Sequence, residues 1–138
     1  MANTGYDWGS WAAMQISASD WTADAVADTA TDTGDATSLD KKTGCEVGIT
    51  LVEDNTGAID GDVTVHVLGS VDGTNYENIT TSGAWAFNIT PVQNATVYKR
   101  FSIDPSMYGD FKLALENQSG QELAATVKYR TADFPAAS

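Results

Sequence analysis

The stretch Gly61-Asp-Val-Thr-Val-His-Val-Leu-Gly-Ser-Val-Asp-Gly-Thr-Asn-Tyr-Glu-Asn-Ile79 decides the fold class of this chain. Val63, Val65 and Val67 alternate with Thr64, His66 and Leu68, the period of a pleated strand, and Asp72-Gly73 supplies the backbone chemistry of a tight reversal. The stretch reads as a β-hairpin. Similar alternating runs closed by turn residues fill residues 44–131. Cys45, Val47, Ile49 and Leu51 share one face; Trp85, Phe87 and Ile89 form another run that Pro91 stops. Phe101 and Ile103 precede Asp104-Pro105, Phe111, Leu113 and Leu115 precede the turn Asn117–Gly120, and Ala125, Val127 and Tyr129 close the series. Turn signals at this spacing, with no amphipathic helical period after residue 44, predict an all-β antiparallel sandwich with Greek-key or jelly-roll connections and seven to nine strands.

The flanks read differently. Residues 1–19 place Tyr6, Trp8 and Trp11 among Gly and Ser without a clean period, which suits an extended aromatic arm laid on a surface of its own domain or of a neighbour; a first strand folded onto the same sandwich is the competing reading. Residues 20–43 repeat Ala, Thr and Asp, with Trp21, Val26 and Leu39 as their sizeable hydrophobes, and suggest strands over 21–27 and 36–39. The sandwich is bounded at 20–131 and residues 132–138 form a tail.

At 138 residues the chain fits one domain, able to bury about two-thirds of its unfolded surface. Nineteen acids against seven bases give a net charge of −12, which repels phosphate and argues against nucleic acid or an anionic membrane as partner. The charge is uneven: residues 1–40 hold seven Asp and no base, whereas residues 97–138 balance five acids with five bases. Those bases, Lys99, Arg100, Lys112, Lys128 and Arg130, fall on strands whose outward faces could meet an acidic patch on a partner, or serve as solvated, edge-protecting charges. Cys45 is the single cysteine, sits in a core-facing run and reads as an inert buried thiol. The N-terminus lacks the basic and apolar segments of a signal peptide, so the four Asn-x-Ser/Thr triplets at Asn78, Asn88, Asn94 and Asn117 read as turn chemistry.

No catalytic set emerges. His66 is the lone histidine, on a strand face without a nucleophile in a recognised setting, and an enzyme is not expected. The Asp54–Asp62 loop lacks the ligand register of a calcium loop, so no metal or other cofactor is expected.

The Gly-Ser-Val-Asp-Gly-Thr-Asn-Tyr centre at residues 69–76, the Ser102-Ile103-Asp104-Pro105 end, Tyr108–Leu113 and Ala125–Tyr129 resemble segments of small β-sandwich virion proteins of tailed bacteriophages, over about residues 44–131. The resemblance implies a capsid decoration or cement protein. It further implies the major capsid protein as partner, a homo-oligomer with a trimer favoured, and a place on the outer capsid surface after synthesis in the host cytoplasm. Tyr6, Trp8, Trp11 and the five bases are then the candidate contact residues. The pattern Ser-x-Asp-Gly-x-x-aromatic also resembles carbohydrate-type binding sandwiches, in which Tyr76 or Trp85 would stack on ligand; an accessory tail or receptor-binding protein is a further alternative. Trp85 alternates with Phe87 as a core residue would, which counts against the ligand-binding reading.

Overall fold

A computed structural model of the chain describes residues 7–54 and 57–133. Six long strands carry the body: β8 (Gly44–Glu53), β9 (Val63–Gly69), β10 (Trp85–Ile89), β11 (Ala95–Ile103), β12 (Asp110–Asn117) and β13 (Leu123–Asp133). Seven short pieces precede them: β1 (Asp7–Trp8), β2 (Ala12–Ala13), β3 (Gln15–Ile16), β4 (Ser19–Asp20), β5 (Asp24–Val26), β6 (Thr31–Thr33) and β7 (Thr37–Ser38).

Five of the short pieces resolve into two interrupted lanes, while β3 and β4 pair with each other as a small separate ribbon. β1, β2 and β5 pair in turn along one side of β13, with Trp8 opposite Ala132, Ala12 opposite Tyr129 and Ala25 opposite Ala124. β6 and β7 pair along β12. Taking β1, β2 and β5 as lane 1, β6 and β7 as lane 2, and β8, β9, β10, β11, β12 and β13 as lanes 3 to 8, the first sheet runs 1-8-3-6 and the second 5-4-7-2, all antiparallel. Eight lanes in these two orders are a jelly roll, within the expected seven to nine strands and the more specific of the two topologies.

Alternation explains the core between the sheets. Cys45, Val47, Ile49 and Leu51 face Val63, Val65, Val67, Leu113 and Leu115, and all are buried, as are Phe111, Ala125 and Val127. The thiol of Cys45 is pushed up to about 12, first by burial and then by the adjacent Glu46 carboxylate, so it is held protonated. Trp21, Val26 and Leu39 also lie in this core.

The stretch Gly61–Ile79 forms a tight reversal rather than a two-stranded hairpin, since β9 has its strand partner elsewhere. The Asp72-Gly73 turn forms: Asp72 Oδ1 accepts the N–H groups of Asn75 (2.6 Å) and Thr74 (2.8 Å), and Gly73 has φ +84°. Beyond it the pairing is short: Ser70 bridges Tyr76, the Val71 N–H donates to the Asn75 carbonyl at 3.0 Å and the Glu77 N–H to the Gly69 carbonyl at 2.9 Å. Glu77 Oε1 takes the Gly69 N–H at 2.8 Å, Asn78 opens a second turn, and β9 finds its partner in β10, Val67 opposite Trp85. The aromatic arm, from Asp7 onward, lies on its own sandwich, and Met14 enters the core. Of the tail, Ala132 and Asp133 extend β13; residues 134–138 fall outside the described residues, as does Tyr6. Asn117 is buried in hydrogen bonds to the carbonyls of Val26 and Gln121 and to Ser119.

Candidate functional site: the outer face of the first sheet

The outward positions of lanes 8, 3 and 6 fall into rows fixed by strand register. Lys128, Gly48 and Arg100 make one row; Arg130, Glu46 and Ser102 the next; Thr126, Thr50 and Tyr98 the one on the other side. Lane 1 adds Trp8 and Trp11. Arg130 is the keystone: its guanidinium lies 4.6 Å from the Trp8 ring centre and 5.0 Å from that of Trp11, and its Nη2 donates to Glu46 Oε2 at 3.2 Å. Arg100 approaches the same carboxylate oxygen at 3.8 Å. Cation–π contact and a partly buried ion pair thus pin the aromatic segment to the sheet.

Trp11 leans over Gly48, where a Cβ added to the glycine would lie 3.6 Å from its ring. A glycine at an outward strand position leaves a trough in the side-chain layer. The trough is a groove of about 290 Å³, walled by Trp11 and Tyr98, floored by Gly48 and Thr50, and flanked by Lys128 and Arg100. Trp11 is 41% exposed and Tyr98 76%.

Five of the eight candidate contact residues therefore converge: Trp8, Trp11, Arg100, Lys128 and Arg130. Lys99 borders the groove but belongs, by alternation, with Val97 and Phe101 on the inner side of β11. An inward-facing charge on an edge strand obstructs pairing with another edge, so Lys99 is an edge guard. Lys112 lies on the other sheet, its Nζ 4.5 Å from the Tyr76 ring centre. Glu46, Gly48 and Tyr98 were missed by the reading of the sequence; the glycine interrupting an otherwise ideal strand was the available signal.

Trp85, expected in the core, lies at the surface. It is 53% exposed, because it is the first residue of β10, the edge strand of its sheet, and has no neighbouring strand on its outer side. There it packs on Phe87 (5.3 Å between centroids) and Phe101 (6.3 Å). His66 Nε2 lies 3.2 Å from Glu116 Oε1 on the outer side of the second sheet. At the opposite edge of the sandwich Asp24 faces Asp32, and its carboxyl is raised to about 6 by burial, then by the hydrogen bond with Asp32 and its charge. Among the described residues no group of three or more His, Cys, Asp or Glu is placed to hold a metal ion.

No protein-family model and no curated protein matches the chain. A solved 4-O-Methyl-alpha-glucuronidase with specificity for decorated arabinogalactans aligns at TM-score 0.45 and 12% identity, over 88% of this chain and 16% of that one. That degree of likeness establishes neither a common fold nor a common activity.

Proposed function

We propose that this protein is a structural virion component of a tailed phage: a capsid decoration or cement protein that docks on the outer surface of the shell, with the major capsid protein as its partner, and stabilises it. One observation carries the reading beyond the sequence resemblance. A chain of net charge −12 gathers four of its seven bases, Lys99, Arg100, Lys128 and Arg130, with two exposed aromatics on or beside one sheet face. Segregation of this kind costs self-repulsion elsewhere and suits a face that meets a complementary acidic surface. The jelly-roll body supplies a rigid platform, since the contact residues project from paired strands. In this reading the protein assembles as a homo-oligomer, with a trimer favoured.

Cosedimentation with purified capsids of the parent phage tests it, alongside a native mass measurement. Saturable binding weakened by salt is the expected result. Failure to bind intact capsids at low salt would overturn the proposal.

Exposed Trp85 favours a second reading, a carbohydrate-type binding module, because a half-exposed Trp backed by Phe87 and Phe101 offers aromatic surface to solvent. A glycan array probed with the isolated protein separates the two. Binding abolished by Trp85→Ala, together with no capsid binding, would reverse the order.

A further inference from the structure

We infer that the Trp11–Tyr98 groove receives an extended acidic segment of the shell protein, patterned acid–x–apolar–x–acid; the inference rests on the capsid-binding proposal and names the partner chemistry of that face. Four features of the groove lead there.

First, the lining is one-sided in charge. Lys128 and Arg100 flank the floor, Lys99 borders it, and among the described residues no carboxylate or amide side chain lines it. Glu46, one row away, is already engaged by Arg130 and approached by Arg100. The Lys128 ammonium has no hydrogen bond or ion pair among the described residues. The groove therefore offers cations and asks for carboxylates.

Second, the floor is apolar and shaped. Gly48 exposes bare backbone between the Trp11 ring and Tyr98, leaving room for one aliphatic or aromatic side chain. A purely polar, highly hydrated ligand would leave those ring faces without a partner.

Third, the spacing fits an extended chain crossing the strands. Lys128 and Arg100 belong to strands on either side of β8, so their backbones stand roughly 10 Å apart. Side chains at i and i+4 of an extended segment project from one face about 13 Å apart. The long Lys and Arg arms span the difference, and residue i+2 then points down at Gly48.

Fourth, the wall is braced. Trp11 is held by Arg130, itself tied to Glu46, so the groove exists before a partner arrives and little ordering entropy opposes binding.

The test is a titration of the isotope-labelled protein with the peptide acetyl-Glu-Ser-Leu-Ser-Glu-amide, followed by NMR. Shifts are expected at the amides of Gly48, Thr50 and Arg100 and at the Trp11 indole, with affinity falling as salt is added. Lys128→Glu should weaken binding by roughly tenfold or more. Gly48→Val should abolish it without unfolding the protein, since the added Cβ makes ordinary contact with Trp11 and valine suits a strand. Shifts confined to the Tyr76–Lys112 side, or no shifts at all, would overturn the inference. So would an oligogalacturonate that perturbs Gly48 when the peptide does not, which assigns the groove to an anionic glycan. Capsid cosedimentation separates this inference from the proposal beneath it. If Gly48→Val binds capsids as well as the parent protein does, the groove assignment fails and capsid binding stands. If the parent protein binds the peptide but no capsid, the shell as source of the segment falls with the capsid proposal.

Discussion

Replacing Arg130 with alanine should both destabilise the sandwich and release the segment that walls the groove. The guanidinium lies over two indole rings, at 4.6 and 5.0 Å, and partly desolvated contacts of this kind are worth about 0.5–2 kcal/mol each. Its ion pair with Glu46 is only partly exposed, the two side chains retaining 25% and 15% of their accessible surface. Truncation leaves that carboxylate with Arg100 at 3.8 Å as its charged neighbour. Hydrogen bonds to charged groups contribute about 1.5–3 kcal/mol, and a net loss near 3 kcal/mol is expected once partial solvation is allowed for. For 138 residues the unfolding entropy near the midpoint is about 0.29 kcal/mol/K, so Tm should fall by about 10 °C. Calorimetry gives that number, and hydrogen exchange locates it: the amides of Gly9 and Met14, which donate to Thr131 and Val127, should lose protection before those of β8 and β12. Glu46→Gln in the Arg130→Ala background should recover about 1 kcal/mol, because it removes the carboxylate left short of partners. A Tm drop under 3 °C, or unchanged protection at Gly9 and Met14, would refute the keystone role.

Two further outcomes follow from the N-terminal third. Gly34→Ala should lower Tm by about 7 °C, since its Cβ would sit 2.5 Å from Cζ3 of the fully buried Trp21 and overpacking costs about 2 kcal/mol; adding Trp21→Phe should relieve part of that loss, and additive effects would contradict the contact. Asp24→Asn should flatten the pH dependence of stability. The folded carboxyl is raised from 3.8 to about 6, so its favourable contribution is complete below pH 3.8 and is lost as pH rises through 6. Discounted for solvent screening in an open cleft, the substitution should gain about 1 kcal/mol at pH 7.5 and nothing at pH 3.8, measured as Tm across that range.

From Gly44 onward the fold was legible because each long strand is covered on one face only, and period-2 alternation records that fact directly. The N-terminal third hides its lanes for identifiable reasons. The β3–β4 reversal uses Ser17 and Ala18, both at positive φ (51° and 62°), without the Asn-Gly pair that advertises such a turn. What holds it is distant in sequence: the carboxylate of Asp35 accepts the N–H groups of Ser17 at 3.2 Å and Ala18 at 2.8 Å. Ala23 and Thr29 also adopt positive φ, and the Ala23 N–H is taken by Thr126 Oγ1. Local propensity is overruled there by tertiary partners, and no window of the sequence contains both halves of the interaction. Trp85 failed for the opposite reason. Its alternation with Phe87 is genuine, but alternation reports which side of a strand a residue occupies, not whether that strand has a neighbour on its outer side.

The groove follows from lane order more than from sequence neighbourhood. In a 1-8-3-6 sheet, lane 3 lies between lanes 8 and 6, so bases on strands separated in the chain by the whole of lane 7 come to flank one strand from both sides. Lane 7 itself belongs to the other sheet, which is why Lys112, midway between Arg100 and Lys128 in sequence, faces away from both. Lane 1 then brings its tryptophans alongside lane 8, where Arg130 can reach them. The outward residue of lane 3 in the row between Lys128 and Arg100 decides whether these parts enclose a space or merely cover a sheet. Any side chain there fills the trough, and Gly48 leaves it open. A glycine that weakens strand β8 by its lack of a side chain is thus the residue on which a binding role for this face most directly depends.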